Sequence, residues 1–145
     1  TSINVYQGAH GWEGLLHPDR ERIIMGRLRK KGVKSYMVSS GVTPLDRYIL
    51  KFYRSIGLKV YLIPSNKEFD RSFYIATYGD MIVQAHYPKE IVSALENFFK
   101  KTKTIEDMNM KNLSDIANTN IEIKLTVIKN LSMAKHINKS ILSQI

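Results

Sequence analysis

The side chains best suited to acid–base or metal chemistry near neutral pH are four histidines, His10, His17, His86 and His136. No two of them stand at the i, i+4 spacing that aligns ligands on one helix face, and there is no cysteine to join them. No metal site is expected from this set. Covalent chemistry has no visible carrier either. The sequence lacks a Gly-x-Ser-x-Gly elbow, a Gly-Lys-Ser/Thr phosphate loop and a Gly-x-Gly-x-x-Gly dinucleotide fingerprint. The acids Asp46, Glu68, Asp70 and Asp80 come from different segments, and local roles account for two of them, Asp46 in a helix start and Asp80 in a turn. A hydrolase pairing Asp46 or Asp70 with His86 is the weakest reading. No catalytic residue is assigned and no cofactor is expected.

Binding has more support. Gly8-Ala9-His10-Gly11-Trp12-Glu13-Gly14 places three glycines in seven residues, with a spacing unlike that of a phosphate loop. The simpler reading is a turn whose Trp12 packs on the core. Ser39-Ser40-Gly41 and Pro64-Ser65-Asn66 should each follow a parallel strand, where ligands of open α/β sheets bind. Ser and Gly are also ordinary turn residues, so both meanings stay open. The candidate ligand site is therefore Ser39, Ser40, Gly41, Thr43, Ser65 and Asn66, covered by Gly8, Gly11 and Trp12.

These loops need a scaffold, and the hydrophobic pattern supplies one. Ile3 and Val5 alternate with polar neighbours as a first strand. Pro18, the acids Asp19 and Glu21, and a basic end before Gly32 mark a helix over about 18–31. Val33–Ser39 and Leu58–Ile63 read as strands around a helix opened by Thr43-Pro44-Leu45-Asp46, a βαβ unit with parallel strands. Tyr78-Gly79-Asp80 joins Ser72–Thr77 to Met81–His86 as an antiparallel hairpin. A helix follows Pro88, then a polar connector over 104–120 with one short turn near Leu113, a strand from Ile121, and a last helix capped by Asn130. The predicted fold is a single α/β domain over 1–145, with a mixed, mostly parallel sheet flanked by helices.

At 145 residues the chain fits one domain, and 43% apolar residues supply a core. Its longest apolar runs are far short of the ~20 residues of a spanning helix, and with no cysteine the expected compartment is the cytoplasm, without membrane contact. The 22 Lys and Arg against 13 Asp and Glu leave a charge of +9. The densest cluster is Arg27, Arg29, Lys30, Lys31 and Lys34. It either tracks phosphates or forms a solvated helix end, and no helix-turn-helix or RNA-binding signature accompanies it.

The order strand, Tyr6-Gln7-Gly8-Ala9-His10-Gly11-Trp12-Glu13-Gly14-Leu15, helix, strand, then Gly57-Leu58-Lys59-Val60-Tyr61-Leu62-Ile63-Pro64, resembles the effector domain of TrmB-type archaeal transcription regulators. Tyr74 through Phe99 extends the likeness to about two thirds of the chain. The resemblance implies a phospholipase-D-like half without its catalytic motif. His86-Tyr87-Pro88-Lys89 and His136-Ile137-Asn138-Lys139 both miss the His-x-Lys spacing. It further implies a regulatory domain that senses a small effector or forms a homodimer, with DNA contacted through a winged-helix domain not present in this chain. The alternative from another class is a small basic nucleic-acid-binding protein.

Overall fold

The computed structural model describes residues 2–64, 70–119 and 122–145. The chain runs β1 (Ile3–Gly8), α1 (Glu13–Leu16), α2 (Pro18–Lys30), β2 (Lys34–Ser40), α3 (Pro44–Ser55), β3 (Lys59–Ile63), β4 (Phe73–Tyr78), β5 (Met81–His86), α4 (Lys89–Lys101), α5 (Met110–Ala117), β6 (Lys124–Lys129) and α6 (Leu131–Leu142). The described strands form one sheet in the order β3-β2-β1-β4-β5-β6. It is an α/β fold, a mixed six-stranded sheet flanked by helices.

The βαβ unit forms as its pattern predicts, with β2 parallel to β3 and β1 parallel to β2. The sheet is not mostly parallel. After β3 the chain crosses to the far side of β1, where β4 pairs antiparallel, and β5 and β6 add antiparallel in turn. The tight Gly79 turn permits only a hairpin there, so antiparallel pairings outnumber parallel ones.

Alternation along β1 sends successive residues to opposite layers. Tyr6 joins a large core with Leu45, Ile49, Tyr53, Leu95, Phe98 and Phe99, beneath α1 to α5. Val5 joins Val38 and Ile141 under α6. A second correction concerns the connector. Residues 110–117 are a helix, capped by the Asn109 side chain accepting from the Asn112 backbone N–H, and Leu113 and Ile116 are buried in the larger core. Two apolar residues at i and i+3 suffice because α4 offers them a surface.

α3 is the element that matters most for the site. Thr43 Oγ1 accepts from the Asp46 backbone N–H at 3.2 Å, and Asp46 Oδ2 accepts from the Thr43 N–H at 3.0 Å. This reciprocal cap fixes where the Asp46 side chain stands. Among the described residues no helix is long and apolar enough to cross a membrane.

A charged quartet at the carboxyl ends of the parallel strands

β1 and β2 end side by side, and the loop after β1 drops His10 between α3 and α4. The ring is buried, 3% exposed at its side chain, and it stacks on Phe99 with centroids 3.9 Å apart and planes at 23°. His10 Nδ1 lies 2.6 Å from Asp46 Oδ1, and Nε2 lies 2.9 Å from Glu96 Oε1. Asp46 therefore spends one oxygen on the helix cap and the other on the imidazole.

Arg71 closes the group from β4's approach. Its Nε donates to Glu96 Oε1 at 2.7 Å, and its Nη2 lies 2.6 Å from the same oxygen. Its Nη1 donates to Ser40 Oγ at 3.0 Å. His10 Nε2 lies 2.9 Å from Glu96 Oε1 and 3.0 Å from Arg71 Nη2, so it meets the carboxylate as an N–H donor or the guanidinium as a bare acceptor, and in either form both ring nitrogens are engaged. Burial alone pushes the His10 pKa down. Hydrogen bonds to Asp46 and Glu96, with their charges, outweigh it and hold the pKa above the ordinary 6.5. Glu96 moves the other way: burial raises it, but His10 and Arg71 together hold it below its ordinary value.

Beside it is a cavity of about 20 Å³, room for about one water, walled by Trp12, Phe73, Tyr74 and Tyr87. Trp12 and Tyr87 meet edge to face at 6.3 Å. Glu13 lines the same cavity, and burial pushes its carboxyl up to about 7. Two carboxyls of one cleft are thus shifted in opposite directions, Glu13 by loss of water and Glu96 by cationic neighbours.

The residues expected at this site divide. Gly8 and Trp12 line the cavity. Ser40 is buried and holds Arg71. Gly41 adopts φ +139°, and a Cβ there would stand 2.6 Å from Asp46 Oδ2 and 3.1 Å from the His10 ring. Only glycine lets strand, cap and imidazole come this close. Thr43 contributes through the cap rather than to a ligand. Ser39 donates to the Ala9 carbonyl at 3.3 Å, tying the two loops together. Gly11 faces Ile49 and Tyr53 in the core and is not at the cavity. Ser65 and Asn66 lie outside the described residues.

His10, Asp46, Arg71 and Glu96 are the centre that sequence reasoning passed over as a group. They are separated by tens of residues, so no local spacing announces them. The one available signal was Asp46, whose capping role explained it too well. Asp46 does not pair with His86, which instead packs on Phe73 at 4.6 Å. Arg27, Arg29, Lys30, Lys31 and Lys34 are exposed at the last turn of α2 and the entry of β2, the end of that strand opposite Ser40. Among the described residues no group of three or more His, Cys, Asp or Glu is placed to hold a metal ion.

Comparison with protein-family models, curated proteins and solved structures gives no match for this chain.

Proposed function

We propose that this chain is a non-catalytic regulatory domain that senses a small ligand at the quartet. The observation that carries this reading is the double engagement of His10. With Nδ1 engaged by Asp46 and Nε2 by Glu96 and Arg71, neither ring nitrogen is open to act as base or nucleophile, whereas the N–H groups of the site, those of Arg71 above all, are suited to recognition. The position, at the carboxyl ends of adjacent parallel strands, is where α/β sheets take ligands. The finer reading is the effector domain of a TrmB-type archaeal transcription regulator with a phospholipase-D-like half. It rests on the sequence resemblance, and the absence of a His-x-Lys motif favours its non-catalytic form. DNA would then be read by a winged-helix domain outside these residues.

Homodimerisation belongs to the same proposal. β6 leaves Leu125 and Val127 on its surface, 65% and 57% exposed, beside Met81 on β5. Thermal unfolding against sugars and other metabolites tests the sensing, since a ligand at 100 times its Kd adds about 2.7 kcal/mol. A flat response across the panel removes it. Sedimentation of the 145-residue chain tests the dimer, and a monomer at all concentrations removes that.

The exposed cluster from Arg27 to Lys34 favours a second reading, direct nucleic-acid binding. Fluorescence anisotropy with duplex DNA decides it. Each neutralised phosphate adds a slope of about −0.9 in log affinity against log salt, and no binding at low salt ends the idea.

A further inference from the structure

We propose that the quartet recognises the acidic group of a small ligand, a carboxylate or phosphate on an apolar body, and that this group displaces the Glu96 side chain from His10 and Arg71. The inference rests on the ligand-sensing reading and specifies its chemistry.

One oxygen, Glu96 Oε1, lies within 2.6 to 2.9 Å of three donor nitrogens, His10 Nε2, Arg71 Nε and Arg71 Nη2. That is a complete oxyanion nest, filled from within the chain. The donors do not depend on Glu96 for their placement. His10 is fixed by Asp46 on its other nitrogen and by Phe99 beneath its ring. Arg71 is fixed by Ser40, through the hydroxyl at 3.0 Å and the backbone carbonyl at 3.4 Å.

The acceptor is the replaceable member. Glu96 belongs to α4, and its side chain is 38% exposed, against 3% for His10 and 1% for Asp46. A rotation about its own side-chain bonds carries it to solvent without moving the helix. Once it leaves, the place of its Oε1 beside His10 Nε2 and the Arg71 guanidinium is open to another anionic oxygen. Trp12, Phe73, Tyr74 and Tyr87 make most of the remaining wall, with the Glu13 carboxyl among them, so the body attached to the anion should be mainly apolar. With Glu96 in place the cavity admits about a water, and entry and displacement are therefore one event.

The experiment is calorimetric titration of the whole chain with phenylacetate, its neutral amide and phenyl phosphate, repeated on Glu96→Gln and Arg71→Lys. Binding of the acids without the amide is expected. Glu96→Gln should tighten it about ten- to hundredfold, because the competing charge-assisted contacts are weakened. Arg71→Lys should weaken it. Which acid binds more tightly assigns the group to carboxylate or phosphate. Equal binding of acid and amide, or no gain in Glu96→Gln with an unchanged melting temperature, overturns the proposal. The wild-type acid and amide comparison stands even if a variant fails to fold. If neutral sugars stabilise the chain while no acid does, this inference fails and the sensing reading survives. If no small molecule binds, both fail.

Discussion

The two edges of this sheet are held by different forces. At the carboxyl ends of β1 and β2, Val38 and Ser40 are fully buried, and the loops beyond them are locked by a helix cap, a buried ion pair and an aromatic stack. At the outer edge, every residue of β6 is exposed. Its backbone ladder to β5 is intact, yet Leu125 and Val127 have nothing above them within the described residues. Packing and buried electrostatics cooperate at the first edge, while the second is held by its backbone ladder and an exposed Lys129–Asp80 ion pair. A site built to hold four charges in fixed relation belongs at the first.

The largest effect should come from Asp46→Ala. It strips the buried His10 of its Asp46 partner and removes the α3 cap, and the expected loss is about 3–5 kcal/mol by denaturant unfolding. A loss under about 1 kcal/mol would mean that His10 is neutral and the edge is held by apolar packing. Phe99→Ala comes next. It opens a cavity under the imidazole at a cost of about 3 kcal/mol, and the His10 side-chain resonances should broaden or shift in the same variant.

The pH dependence sharpens the contrast further, because the shifted histidine and two shifted acids, Glu13 and Glu96, sit at the site. A folded-state pKa raised above 6.5 makes the His10 proton stabilising. Its contribution is full below pH 6.5 and is lost as pH rises through the raised value. Glu13 has the same sign, and stability tied to its proton falls between about pH 4.5 and 7. Glu96 has the opposite sign, giving stability that is present above its ordinary 4.5 and lost as pH falls through its depressed value. Melting temperature against pH should therefore decline on the alkaline side. Glu13→Gln should flatten the segment up to pH 7, and His10→Gln the segment above 6.5. An unchanged profile in both variants would place the titration elsewhere.

The smallest effect is expected at the other edge. Leu125→Thr should alter stability of the isolated chain by no more than about 0.5 kcal/mol, since little apolar area is buried there. Amide exchange should be faster in β6 than in β1. A destabilisation of several kcal/mol by Leu125→Thr that depends on protein concentration would show a second copy covering that face.

Local patterns in the sequence exposed most elements, because caps and alternation are short-range physics. Thr43-Pro44-Leu45-Asp46 announced α3, Tyr78-Gly79-Asp80 the hairpin, and Asn130 the last helix. α5 was hidden in an asparagine-rich stretch, since its formation depends on a docking surface that no local window contains. The parallel bias failed for the same reason: the crossing of β4 to the far side of β1 is a choice of the whole sheet. Within the site, Ser40, Gly41 and Thr43 were reachable from their position after a strand. His10 with Glu96 and Arg71 was not, because 86 and 61 positions separate them from the histidine.

The most direct test of the account is the protonation of His10, read from nitrogen chemical shifts of the imidazole across pH 5 to 9. The account expects a midpoint above 6.5, with Glu96→Gln lowering it. A midpoint at or below 6.5 would contradict the hold of Asp46 and Glu96 on the imidazole and reopen a catalytic role for it.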